Sequence, residues 1–216
     1  VDEWVGGRSD QLDRLKRQVE ELGHSGVYFS TGGFFHDDFQ SSVNDAELEP
    51  LWELVQRLGI TVHWYAAKLR LPAAEDYLGE LREFFTWAER HPGIPSVLTH
   101  GMNNLFYDKD KPDRFSVPDE IHRLVGLPDW RMELMLHLMA GDTAYPPHEP
   151  GLEKVMRELV ESVGAESLVW GSDMPACERS VTYKQSMVLY QTQCDFLSSS
   201  QKEAILGGNM ARLYPS

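Results

Sequence analysis

Leu168-Val169-Trp170-Gly171-Ser172-Asp173-Met174-Pro175 is an apolar run that stops on Gly-Ser-Asp. The run is too short for a helix and is bounded by turn formers. That combination reads as a strand buried on both faces, as in a parallel sheet covered by helices. Asp173 then stands just past the strand's C-terminal end. Residues 151–163 and 183–194 carry apolar positions at helical spacing, so the strand lies between two helices.

The same unit recurs along the chain. Strands are predicted at 26–29, 60–66, 96–100, 132–136 and 167–170. Helices are predicted at 9–22, 48–58, 74–90, 118–124, 151–163, 183–194 and 198–206. Ser9 reads as the first N-cap, and Asn44 with Glu47 and Ser198 with Gln201 have capping-box spacing. Gly23, Gly59, His91-Pro92-Gly93 and Gly207-Gly208 mark helix ends. Five repeated βα units imply a parallel sheet, open or closed into a barrel. No G-x-G-x-x-G follows a strand and no Walker loop occurs, so the nucleotide-binding open sheets lose support. No inter-domain linker or low-complexity segment interrupts the pattern.

Composition narrows the partners. The chain has 20 basic against 34 acidic residues, a net charge of −14, with the basic residues scattered. Nucleic acid is therefore excluded as the expected partner. Cys177 and Cys194 do not form a CxxC pair, which suits a reducing compartment. No segment is long and apolar enough for a bilayer and no signal-peptide pattern opens the chain. A cytoplasmic protein with a small-molecule substrate and no membrane partner is expected.

In a parallel barrel the reacting groups stand at the C-terminal strand ends. Here those ends carry Ser30 and Thr31, then His63, Trp64 and Tyr65, then His100, His137 and Asp173. Imidazoles and carboxylates so placed can ligate a divalent metal or move protons near neutral pH. Each has a plainer alternative. His63 alternates with Val62 and Trp64 and so competes with a helix-facing position. Asp173 competes with a turn cap, and His137 with a structural role. The loop Phe34-Phe35-His36-Asp37-Asp38-Phe39 suits a substrate-facing lid or simple packing on helices. Arg179 suits a bidentate contact to a substrate carboxylate or an exposed surface position.

The segment 168–175 resembles the last-strand motif of the amidohydrolase-related family, the metal-dependent hydrolases grouped with aromatic-acid decarboxylases. Gly208-Asn209-Met210-Ala211-Arg212-Leu213 resembles its closing helix. His91-Pro92 through Val97-Leu98-Thr99-His100-Gly101 resembles its sixth-strand motif, and 48–62 its fifth strand with the helix before it. The resemblance covers nearly the whole chain in order. It implies an α/β fold, the (β/α)₈ TIM barrel, with strands 4 to 8 present. Residues 1–216 would form a single barrel domain lacking its N-terminal βα units. Asp173 would be a metal ligand or general base, and His100 would polarise or protonate substrate.

The resemblance implies an enzyme that hydrolyses a small carboxylate-bearing or cyclic substrate, with water activated by Asp173, with or without a divalent metal, zinc foremost. Tyr65, Trp64, His63 and Arg179 would hold the substrate. A non-oxidative aromatic-acid decarboxylase is the alternative, and a non-catalytic ligand-binding barrel or inactive fragment is a third. A homodimer is a candidate assembly. Two departures bear on the metal. The family's first-strand His-x-His is absent from this chain, and Tyr65 stands where the fifth strand often carries His. Metal-independent lactone hydrolases occur among relatives that have lost this last ligand.

Overall fold

The structure, a computed structural model, describes residues 8–34, 42–67, 73–101, 106, 115–135, 150–179 and 181–214. The elements follow the expected alternation. Helix α1 (Ser9–Glu20) leads to β1 (Gly26–Ser30), a helical turn α2 (Thr31–Phe34), α3 (Glu49–Leu58), β2 (Thr61–Tyr65), α4 (Ala74–Arg90) and β3 (Ser96–Thr99). Then come α5 (Asp119–Val125), β4 (Trp130–Leu134), α6 (Pro150–Val163), β5 (Leu168–Trp170), α7 (Tyr183–Thr192), α8 (Ser199–Glu203) and α9 (Asn209–Leu213). Strand order in the sheet is chain order, β1-β2-β3-β4-β5. The chain divides into two compact units, residues 1–99 with 127–130, and residues 100–126 with 131–216.

In the first unit β1, β2 and β3 run parallel, with Phe29 opposite Trp64 and Trp64 opposite Leu98. The core is aromatic. Phe29, Phe34, Trp52, Trp64, Phe84, Trp87 and Trp130 are each at most 1% exposed, so together they exclude water from one side of the strands. Their rings meet in tilted and edge-on pairs, with Trp64 and Trp87 centroids 4.8 Å apart and Trp52 and Trp64 5.5 Å apart. Such pairs add to the area each large ring removes from water. The indole N–H of Trp52 is satisfied by the Val43 carbonyl at 2.9 Å. Thr31 Oγ1 accepts the Ala67 N–H at 2.7 Å and donates to buried Glu80 at 2.5 Å, which ties the ends of β1 and β2 together.

In the second unit β4 and β5 run parallel, with Glu133 opposite Val169. The Gly171 N–H continues the ladder onto Leu134 O at 3.0 Å. The Tyr190 hydroxyl of α7 donates to the same carbonyl at 3.1 Å. Asn209, fully buried, explains why a polar residue opens the last helix. Its side-chain amide donates to Ala165 O and Leu168 O, each at 2.7 Å, and Arg212 donates to its Oδ1 at 3.0 Å. The chain's final helix thus clamps the start of the strand that delivers Asp173.

Several expected details are corrected. Of the two alternatives for the 34–39 loop, Phe34 takes the packing one rather than the lid. Residues 31–34 form a helical turn, and the ring packs against Phe29 and Trp52. The remaining lid residues, 35–39, lie outside the described residues. Asn44 does not cap α3, because its side chain donates to Glu83 O at 3.0 Å and a tertiary partner replaces the local one. Ser9 is the first residue of α1 rather than its cap, which is Arg8. Ser198 does cap α8, accepting the Gln201 N–H. The helical run that begins at Ser199 breaks at Gly207, as expected, where the backbone leaves helical geometry in a kink before α9.

Candidate active site

His100 follows β3 directly and Asp173 lies three positions past the end of β5. Both leave their strands through left-handed backbone, with φ of 58° at His100 and 50° at Asp173. No other described residue except glycine has positive φ. A side chain in this region costs about 1–3 kcal/mol and persists only where surrounding structure enforces it. Here the turns aim the two side chains at each other, with His100 Nε2 3.4 Å from Asp173 Oδ1. The side chains are 31% and 22% exposed, so the pair is sheltered yet reachable by a small molecule. The turn-cap alternative for Asp173 is met by its main chain instead. The Asp173 carbonyl accepts the Cys177 N–H at 2.9 Å, which leaves the carboxylate for His100.

A third ionisable group, not anticipated from sequence, completes the cluster. Glu133 sits in mid-β4, where Trp130, Met132 and Leu134 take the buried face and Arg131 and Glu133 the other. Its Oε2 accepts the backbone N–H of His100 at 3.0 Å. Burial pushes the Glu133 carboxyl up from its ordinary range and the nearby Asp173 adds to this, while the His100 N–H and imidazole pull it down. The available signal was a lone acid inside the apolar run Met132-Glu133-Leu134-Met135. Strand alternation turns that acid away from the core.

The other predicted site residues fall as follows. Trp64 is corrected from substrate contact to core. It is fully buried against Phe29, Phe84, Trp87 and Trp130. With Val62 and Trp64 on the helix-covered face, His63 and Tyr65 take the opposite one, since successive strand side chains alternate. Both are partly exposed, and the Tyr65 ring lies 6.4 Å from that of Tyr28. Burial lowers the pKa of His63. These residues belong to the first unit and His100, Glu133 and Asp173 to the second. The backbone of Arg179 ends the turn Ala176–Arg179, but its side chain lies outside the described residues, as does His137.

The family model described as Amidohydrolase matches residues 5–216, and the chain belongs to the amidohydrolase family. It resembles an amidohydrolase from Burkholderia multivorans solved with bound zinc, at TM-score 0.68 and 19% identity over 96% of this chain and 70% of that one. It resembles a probable 2-pyrone-4,6-dicarboxylic acid hydrolase from Acinetobacter baumannii with citric acid bound, at TM-score 0.61 and 16% identity over 95% and 69%. It also resembles a 2,6-dihydroxybenzoate decarboxylase complexed with 2,6-dihydroxybenzoate, at TM-score 0.63 and 12% identity over 95% and 67%. At such identities these likenesses establish the fold, that of the (β/α)₈ barrels. No curated protein matches the chain.

Family membership raises the matter of a metal. His100, Asp173 and Glu133 are ligand types. Among the described residues, however, no group of three or more His, Cys, Asp or Glu side chains is arranged to hold an ion. The Glu133 oxygen is engaged by the His100 backbone, and Asp173 faces the His100 imidazole. The described donors alone do not fit a metal centre. What they can do is move a proton and place a hydrogen-bond donor beside a carboxylate.

Proposed function

We propose that the chain hydrolyses a small carboxylate-bearing or cyclic substrate, with Asp173 as the general base and His100 as the group that meets the substrate carbonyl. Asp173 takes a proton from water as the water oxygen attacks the carbonyl carbon. The His100 imidazole donates to the oxygen on which negative charge grows. Collapse of the tetrahedral intermediate returns the proton to the leaving oxygen or nitrogen. Arg179 would orient the substrate, matched to a carboxylate.

The observation that carries this proposal is the 3.4 Å approach of His100 to Asp173 from two strand ends. The likeness to a probable pyrone dicarboxylate hydrolase supports an acidic cyclic substrate. Its test is a panel of lactones and pyrone carboxylates assayed with wild-type protein and Asp173→Asn. Ring opening by the wild type that fell by about 10²-fold or more in the variant would support general-base catalysis. Equal rates would overturn the mechanism.

Decarboxylation of an aromatic acid is the second possibility, favoured by the equally close likeness to a dihydroxybenzoate decarboxylase. In that case His100 or Asp173 would deliver a proton to the ring carbon that loses its carboxylate. Release of carbon dioxide from a hydroxybenzoate without water uptake would select it.

A further inference from the structure

Two glycines and two strand ends in the second unit are arranged around one residue, Glu133. Glu133 Oε2 accepts the His100 N–H at 3.0 Å, within the left-handed turn that aims the imidazole. Across the ladder, Gly171 lies against the same carboxyl group, and a Cβ built there would overlap Glu133 Oε1 and Cδ. At Gly101, with φ of 22°, an added Cβ would overlap Glu133 O and the Met132 side chain. Glycine is thus required on both sides of Glu133, one position after His100 and two before Asp173. The carboxyl group fills the space between the two departing turns.

We propose that Glu133 is a positioning residue for the reacting pair. Its carboxylate holds the His100 N–H and thereby keeps the turn that directs Nε2 at Asp173. It acts through His100 and touches no substrate. The strained φ at His100 needs an external restraint, and a charge-assisted hydrogen bond from its N–H to a partly buried carboxylate supplies one. Gly171 serves the same end by leaving room for the carboxyl group. This inference deepens the hydrolase proposal and rests on it for its functional meaning, but its geometry can be tested without turnover.

The test reads the coupling between His100 and Asp173 by NMR in the full chain. The His100 imidazole signal is assigned by its loss in His100→Gln. In wild-type protein, Asp173→Asn is expected to move that signal. The response should survive in Glu133→Gln, which retains an acceptor oxygen, and be lost in Glu133→Leu. It should also be lost in Gly171→Ala, which keeps every polar atom but displaces the carboxyl group. Should Glu133→Leu fail to fold, Gly171→Ala decides. An Asp173-dependent shift that persists in Gly171→Ala or in folded Glu133→Leu overturns the proposal, as does its loss in folded Glu133→Gln. If instead the coupling behaves as expected but no hydrolytic substrate is found, the positioning role stands and the hydrolase proposal fails.

Discussion

His100 and Asp173, 73 residues apart in sequence, meet at 3.4 Å, and each does so from a left-handed backbone that residues other than glycine adopt uncommonly. Strain at two facing side chains is a mark of a site held in shape for use rather than for stability. Replacing His100 by glycine should therefore abolish turnover without lowering the melting temperature, because glycine accepts positive φ freely. His100→Val, β-branched at the same φ, should lose about 1–3 kcal/mol in denaturant titration. A glycine variant that melts far below the valine variant would show that the turn is not strained.

Gly101 tests how tightly the turn after His100 is packed. Gly101→Ala places a methyl group against Glu133 O and the Met132 side chain. Overpacking of this kind should cost about 1–3 kcal/mol. The cost should be accompanied by a fall in kcat, because the displaced strand end carries the imidazole. Thermal melts paired with initial rates check both, and an alanine variant as stable and active as wild type would contradict the packing described.

Asn209 should behave as a structural clamp. Asn209→Ala leaves two carbonyls at the start of β5 without their amide donors, at 2.7 Å in the parent. Stability should fall by about 1–3 kcal/mol per unsatisfied group. Hydrogen exchange should speed up at residues 165–170 before it does so in β4. Uniform loss of protection across the second unit would argue against a local clamp.

Stability should also depend on pH in two windows of opposite sign. Burial lowers the pKa of His63 and His91 below their ordinary 6.5. The unfolded chain then takes up protons near 6.5 while the folded one resists them. Their stabilisation is present above that pH and is lost as pH falls through this window. Glu133 is shifted upward, so its contribution is fully present below the ordinary 4.5 and is lost as pH rises towards its folded value. Melting temperatures of wild type and of His63→Gln, His91→Gln should converge as the medium is acidified from pH 7. An unchanged difference between them would refute the histidine assignment.

Much of this was legible in the sequence, for reasons that differ by residue. The strand at 168–170 and its terminal Asp173 follow from a short apolar run closed by Gly-Ser-Asp, and His100 follows from the same logic at 96–100. The shared signal is local, so a one-dimensional reading suffices. Trp64 reads as a substrate contact in sequence because an aromatic at a strand end looks like one until the face is fixed. The face is fixed by tertiary neighbours, Trp52 on α3 and Phe84 and Trp87 on α4, which local sequence does not reveal. Glu133 was missed because it sits mid-strand rather than at a strand end, and its partner is a backbone N–H 33 residues upstream. Asn44 has capping spacing but is drawn off by the Glu83 carbonyl.

The clustered indoles of the first unit have an optical consequence. Trp52, Trp64 and Trp87 lie with centroids 4.8 to 5.5 Å apart, close enough for their transitions to mix. Circular dichroism in the ultraviolet should then carry an exciton couplet that vanishes when this aromatic nucleus loosens. Loosening around β1 to β3 can therefore be followed spectroscopically, without labels, while the histidine–aspartate pair is monitored separately.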